Sequence, residues 1–282
     1  MEALAAADEA AVMAAWAGLG YYARARNLLA CARAVAASGG QFPDTEEALR
    51  RLPGLGAYTA AAVAAIAFGR RAVVVDANVE RVVSRLFAIA TPLPTGRPAI
   101  RVAADAITPE ARAGDFAQGL MDLGATICTT RNPRCLLCPL AQDCAATREG
   151  DPARYPVKAA KAAKPARVGQ AFWIERDGQV WLVRRPGTGL LGGMRALPDD
   201  GWNARGDGSG IAPLAGEWRA AGSIAHGFTH FSLELAVMLY SADEWSSLAG
   251  DGEWWPVAEL NAAGLPTLFD KATRRALAAR EQ

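Results

Sequence analysis

LPGLGAYTAAAVAAIAFGRRAVVVDANVERVVSR, residues 52–85, joins a glycine turn through a helix to an apolar run that closes on a single carboxylate. Gly54 and Gly56 allow a tight backbone turn and a close approach to a phosphate, and the helix that follows points its first amides outward. The apolar run Ala72–Val75 ends in one carboxylate, Asp76, ahead of a second helical pattern from about Ala77 to Ala88. A Gly-x-Gly pair most often makes only a turn, and an aspartate before a helix is a good N-cap. Their chemistry depends on what surrounds them.

Upstream, Ala10–Ser38 reads as helix interrupted at Gly18-Leu-Gly20, with Arg24, Arg26 and Arg33 on an otherwise small, apolar surface. GGQFPDTEEALRRLPG supplies an N-cap at Asp44 or Thr45 before two glutamates, then a short helix into the turn. Further helical pattern covers Ala57–Phe68, Arg97–Ile107 and Ala113–Leu123, and no strand alternation occurs before residue 168. Residues 1–150 are therefore expected to form an all-α domain. DPARYPVKAAKAAKPARVGQ mixes proline, alanine and spaced lysines, so 151–169 reads as an extended, solvated linker. Residues 170–282 read as α+β. Ala171–Glu175 and Gln179–Arg184 flank Asp177-Gly178, a hairpin signal; Ser232–Tyr240 alternates as a strand, and Lys271–Arg280 closes as a helix.

A length of 282 residues fits two domains. Hydrophobic residues make up 51% and charged residues 21%, a globular composition. No apolar run reaches the roughly 18–20 residues a membrane span needs, and MEALAAADEAAVMAAW lacks the basic start of a signal peptide, which places the expected location in the cytoplasm. The net charge of +1 conceals its distribution: residues 1–150 hold 15 arginines, 14 acids and no lysine, while 151–170 hold five basic groups against one acid. Global charge thus gives no evidence for a polyanionic partner, although local basic patches can bind one.

Cys128, Cys135, Cys138 and Cys144 follow the spacing C-x6-C-x2-C-x5-C, with Pro133 and Pro139 stiffening the loop. Four thiolates at this spacing suit a tetrahedral zinc or an iron–sulfur cluster better than disulfides. Cys31 reads as a small core residue on its helix. The spacing, following MDLGATIC at the end of a helical region, resembles the 4Fe–4S loop (residues 128–144) of the endonuclease III and MutY glycosylases. In that family the cluster is structural, and the loop matching Thr129–Arg134 lies against the DNA backbone.

Together the glycine turn, VVVDANVERVVSR and the cysteine loop have the order and distances of the helix-hairpin-helix glycosylases. The resemblance makes Gly54 and Gly56 the phosphate grip, Asp76 the catalytic aspartate and Asn78 the amide that orients it. Cleavage of an N-glycosidic bond builds positive charge on the sugar, which a nearby carboxylate stabilises or traps while a second acid protonates the departing base. Glycosylases that also cut the strand use a lysine as Schiff-base nucleophile; in the family it stands on the helix after the hairpin, where this chain has Tyr58. That implies a monofunctional enzyme, with Tyr58 resembling a MutY residue of the adenine pocket. Packing alone would also explain Tyr58, and Asn78 could be only a first-turn residue.

GLGYYARARN, residues 18–27, also reads as MutY-like, and Tyr21 matches the tyrosine that the family wedges beside 8-oxoguanine; Arg24 and Arg26 flank it as DNA contacts. DGQVWLVRRPGTGLLGGMRALPDD resembles the MutT-like domain at the end of MutY but carries no Nudix run of acids, so nucleotide hydrolysis is not expected. Both histidines lie in HGFTHFSLEL. Strand alternation turns His226 and His230 to one side without a third ligand, which disfavours metal. FTH resembles the family's lesion-reading loop, making Phe228, Thr229 and His230 the candidates for contacting 8-oxoguanine.

The resemblance implies a monomeric adenine DNA glycosylase of base excision repair, with one 4Fe–4S cluster, acting on double-stranded DNA with adenine opposite 8-oxoguanine or guanine. It covers nearly the whole chain, but the family extends for roughly sixty residues before the point matching Met1, a length of several helices. That segment carries the glutamate that protonates adenine and a glutamine-rich motif that inserts opposite the lesion. The expectation is therefore an N-terminally incomplete glycosylase domain with impaired catalysis. A non-catalytic lesion-binding protein or remnant is the alternative, and a zinc-bound helical DNA-binding module is a third.

Overall fold

The computed structural model describes residues 1–160, 163–187, 189–240, 248 and 252–280; Lys161 of the connector and Thr188 of GTGLLGG lie outside them. The chain forms two compact units, Ala34–Ala162 and Met1–Arg33 together with Ala163–Gln282. This division differs from the expected boundary near residue 150, because the first 33 residues bury their apolar side chains against the C-terminal unit. Met13, Tyr22 and Ala25 form a small core with Met194. Gly264 lacks the Cβ that would sit 2.8 Å from the Ala14 Cα, so helix α2 (Glu9–Ala15) can approach closely. Helix α1 is a single turn, Glu2–Ala5, and α3 (Ala23–Ala37) leads out of this unit.

In the unit Ala34–Ala162 every named element is helical, as expected. The Thr45 hydroxyl accepts the Ala48 amide at 3.3 Å and caps α4 (Glu46–Leu49), whereas Asp44 pairs with Arg70. The turn Leu52–Gly56 then runs through Gly54 at φ +78°, a conformation that favours glycine. Helix α5 (Ala57–Ala62) widens into a π-helical turn, Val63–Ala67, instead of continuing as α-helix to Phe68. Its alanines at 60, 61, 64 and 65 are buried, and Gly114 on α8 (Ala113–Thr126) meets the Ala65 carbonyl there. The Ala72–Val75 run is extended and largely buried, and it delivers Asp76 to the start of α6 (Ala77–Leu86). Val79, Val82 and Val83 on α6 pack with Ile100 and Ala104 of α7 (Arg97–Ile107), each large side chain contributing about 1.5–3 kcal/mol by burial. After the cysteine loop, α9 (Ala145–Arg148) completes the helices.

The first half of the expected linker is anchored to the helical unit, although most of its residues remain exposed. Tyr155 is buried, its hydroxyl donates to Glu149 at 2.8 Å and its carbonyl accepts from Arg85 at 3.1 Å. The Val157 carbonyl accepts the Leu93 amide at 2.8 Å. An aromatic side chain in a polar, proline-bearing stretch supplied the anchor that composition averaged away.

Among the described residues the C-terminal unit holds two sheets. In the first, β1 (Ala166–Trp173) pairs in parallel with β6 (Ser232–Tyr240), and β6 pairs antiparallel with β5 (Trp218–Gly227). In the second, β3 (Gln179–Arg184) pairs with β2 (Glu175–Arg176), β4 (Arg195–Ala196) and β7 (Gly252–Pro256). Asp177 and Gly178 sit at φ +48° and +72°, the two-residue turn expected between β2 and β3. Alternation along β6 buries Leu233, Leu235, Val237 and Leu239 with Phe269 and Ala272 of α10 (Thr267–Arg280). The expected strand Ala171–Glu175 is instead divided between β1 and β2. Strand β1 begins earlier, at Ala166, because its pairing lies some sixty residues away on β6. Likewise α10 begins at Thr267 because Leu268 and Phe269 are core residues. No helix among the described residues is long and apolar enough to cross a membrane.

Candidate active site and nucleic-acid interface

Asp76 is the N-cap of α6, and this local role fixes its side chain. Its Oδ1 accepts the Val79 amide at 2.7 Å and its Oδ2 accepts the Asn78 amide group at 3.1 Å. Asn78 is itself held, because its Oδ1 accepts from Arg81 Nη2 at 2.9 Å. Arg81 continues to the Gly124 carbonyl at 2.6 Å and to the Cys128 carbonyl at 2.7 Å. Gly124 makes this seam possible: a Cβ there would lie 2.7 Å from the Asn78 Cβ. The sequence reading missed Arg81 and Arg85, although Asn78, Arg81 and Arg85 recur at i, i+3 and i+7, a polar stripe along one face of an amphipathic helix.

Asp76 and Tyr58 line one cavity of about 420 Å³, together with Val75, Ala77, Glu80, Arg97 and Arg101. Asn78 stands behind Asp76 and does not line it. Glu80 is paired with Arg97 at 3.0 Å, and Arg101 reaches Glu46 at 3.2 Å. The cavity therefore offers one unpaired carboxylate beside an aromatic ring. Gly54 and Gly56 lie on the turn before α5, where no side chain caps the helix and a Cβ at Gly56 would meet nothing within 4 Å.

Cys128, Cys135, Cys138 and Cys144 line one small cavity with Arg85, Ile127, Pro133, Thr147 and Pro152. All four are free cysteines in the structure. Among the described residues no three His, Cys, Asp or Glu side chains are arranged to hold a single metal ion. Burial, with a smaller push from the other three cysteines, raises the Cys138 thiol above its ordinary range, partly opposed by a backbone hydrogen bond at Leu140. Arg85 is 2% exposed and donates to the carbonyls of Tyr155, Cys128 and Thr129 at 3.1, 3.2 and 2.8 Å and to Cys128 Sγ at 3.2 Å. A buried cation is costly unless negative charge lies close by. Four soft donors around such a cation fit an anionic metal–thiolate centre. Cys31 is buried on α3, as expected of a core residue.

The C-terminal unit brings together two candidate groups separated by two hundred residues. Tyr21, Arg24 and Arg26 line a cavity of about 500 Å³ with Phe228, Thr229, His230 and His226. Tyr21 is exposed at φ +49°, and the Arg24 guanidinium lies 5.0 Å from its ring centroid. Arg26 donates to the Gly192 carbonyl, tying α3 to the GLLGG stretch. Phe228 stacks on Phe231 with centroids 4.6 Å apart and meets the His226 ring edge-on at 4.6 Å. Burial, and then the charge of Lys271, push His226 below its ordinary value, so its ring is neutral at pH 7. His226 on β5 and His230 in the loop line the same cavity. His226 was passed over as a recognition residue because its exposure depends on the β5–β6 pairing.

The sequence profile of the HhH-GPD superfamily of base excision DNA repair proteins matches residues 1–100, and that of the NUDIX domain matches residues 170–275. The adenine DNA glycosylase of Homo sapiens is 31% identical over 338 aligned positions, covering 97% of this chain and 62% of its own length. That of Arabidopsis thaliana is 43% identical over 201, covering 65% of this chain and 32% of its own. The chain is of the MutY type. Its fold is accordingly an all-α helix-hairpin-helix region followed by an α+β MutT-like region. This MutY-type chain spans between about a third and two thirds of the length of these two relatives. A solved thermostable thymine-DNA glycosylase, 33% identical, aligns over 52% of this chain and 70% of its own with a TM-score of 0.48.

Proposed function

We propose that this chain acts in base excision repair as a monofunctional adenine DNA glycosylase, hydrolysing the N-glycosidic bond of adenine opposite 8-oxoguanine or guanine in double-stranded DNA. The carrying observation is the cavity that Asp76 shares with Tyr58, with no lysine beside them. The carboxylate, held by the Val79 amide and Asn78, is oriented to stabilise cationic charge on the sugar; Tyr58 supports the flipped base. Gly54 and Gly56 would grip a phosphate. Tyr21, Arg24, Arg26, Phe228, Thr229 and His230 form the reader of the lesion, a role supported by their shared cavity.

Functionally, residues 1–150 serve as the glycosylase domain, 151–169 as the connector and 170–282 as the lesion-recognition domain of a cytoplasmic monomer. Cys128, Cys135, Cys138 and Cys144 would hold one 4Fe–4S cluster, which supplies structural order to the loop. That the four cysteines line one small cavity supports a shared centre there, and four thiolates are the ligand set such a cluster takes.

A lesion-binding protein without catalysis is the second reading, and one observation favours it. Apart from Asp76, the carboxylate lining the cavity is Glu80, and its pairing with Arg97 withholds it from protonating a base. Single-turnover adenine release from duplex with adenine opposite 8-oxoguanine separates the two. Release abolished by Asp76→Asn supports the enzyme, whereas tight, selective binding with no release supports the second reading.

A further inference from the structure

Docking of residues 151–158 onto the helical unit creates a second cavity, of about 480 Å³, that shares Ala77 and Glu80 with the Asp76 cavity. Its charge is one-sided. Arg81, Arg85, Arg154 and Lys158 line it, and its one carboxylate, Glu80, is neutralised by Arg97 at 3.0 Å. Arg81 directs its donors to neutral oxygens, the carbonyls of Gly124 and Cys128 and the side chain of Asn78, so its charge is satisfied geometrically but not cancelled. Arg85 is taken up by the Cys128 sulfur and the carbonyls of Cys128, Thr129 and Tyr155. Arg154 lies over the Tyr155 ring at 5.6 Å, which orients the guanidinium without neutralising it. The Lys158 side chain is exposed and has no acceptor among the described residues. The exposed Thr130 hydroxyl on the wall adds a neutral donor.

We propose that Arg154 and Lys158, assisted by Thr130 and the fixed charge of Arg81, bind a backbone phosphate of DNA beside the Asp76 cavity. The inference deepens the glycosylase reading and rests on it for the identity of the polyanion. A phosphodiester suits the site because it is a compact, permanently charged group with several acceptor oxygens, matched by a planar guanidinium, an ammonium and a hydroxyl. Tyr155 and the Leu93–Val157 hydrogen bond hold the segment on the folded unit, so its two cations are presented there instead of on a free chain.

The test measures binding of fluorescent duplexes, one with adenine opposite 8-oxoguanine and one undamaged, from low to moderate salt, for the whole chain and for Lys158→Ala and Arg154→Ala. Removing one cation that neutralises a phosphate lowers the slope of log affinity against log salt by about 0.9. The proposal predicts a reduction of about one for each variant and about two for the pair, with the preference for the lesion duplex unchanged. Inorganic phosphate should compete only as general ionic strength. Since Arg154→Ala could loosen the segment through Tyr155, Lys158→Ala decides the matter alone: an unchanged slope overturns the site. Arg154→Lys should restore most of the wild-type slope. If the whole chain neither prefers the lesion nor releases adenine, yet Lys158→Ala still lowers the slope, the glycosylase reading falls and the phosphate site stands.

Discussion

Replacing Arg81 by methionine keeps the aliphatic stem and removes the guanidinium that joins the Asp76 site to the cysteine loop. The wild-type group makes three close hydrogen bonds, to Gly124 at 2.6 Å, Cys128 at 2.7 Å and Asn78 at 2.9 Å. Its loss leaves the Gly124 carbonyl and the Asn78 Oδ1 in a partly buried seam without this donor, while the Cys128 carbonyl keeps Arg85 at 3.2 Å; with about 1–3 kcal/mol for each unsatisfied group the expected cost is about 3 kcal/mol. That is roughly 10 °C in the melting temperature of a unit this size. Catalysis should fall by a separate route. Asn78 loses its hold and swings from Asp76 Oδ2, but Asp76 keeps the Val79 amide at 2.7 Å. The carboxylate is therefore loosened, not lost, and single-turnover adenine release should slow by about 10- to 100-fold, the scale of a small misplacement. Thermal melts and single-turnover rates should be read for Arg81→Met, Asn78→Ala and the double variant. If Arg81 acts through Asn78, the double variant will be little slower than Arg81→Met, with a coupling of about 0.5–3 kcal/mol. A wild-type melt and rate for Arg81→Met, or rate effects of the pair that simply multiply, would refute the reasoning.

Asp76→Asn should abolish adenine release while leaving the melt nearly unchanged, because asparagine caps a helix about as well as aspartate; a large drop in stability would show that the carboxylate is chiefly structural. Gly124→Ala should destabilise by about 1–3 kcal/mol, since the new Cβ would lie 2.7 Å from the Asn78 Cβ, and a neutral melt would show that the α6–α8 seam can yield. Thr229→Ala should erode the preference for 8-oxoguanine over guanine in competitive binding; an unaltered ratio removes that hydroxyl from recognition. Purified protein should be brown and contain about four irons per chain, as a cubane held by four thiolates requires, and colourless protein with one zinc would replace the cluster by a single ion.

How legible was the site? Asp76 shows the strength and limit of sequence reading. Its capping role follows from an aspartate before an apolar-periodic helix, and the hydrogen bond to Val79 is made. The partners that hold it across the seam, Arg81 and Gly124, answer to packing between α6 and α8, which no local pattern encodes. Tyr155 makes the same point: proline, alanine and lysine around it read as linker, but one buried ring docks the segment.

Local chemistry thus determined, from the sequence alone, the capped helices, the glycine turn, the Asp177-Gly178 hairpin, the alternation of β6 and the four-cysteine spacing. Each depends on backbone preference or periodicity within a few residues. Long-range packing selected which distant pieces meet. It paired β1 with β6, moved the first 33 residues onto the C-terminal unit, and placed Tyr21 and Arg24 in one cavity with the Phe228–His230 loop. The reason is physical: burial of apolar surface is non-directional and indifferent to sequence separation, so it selects partners that no short window of residues can name.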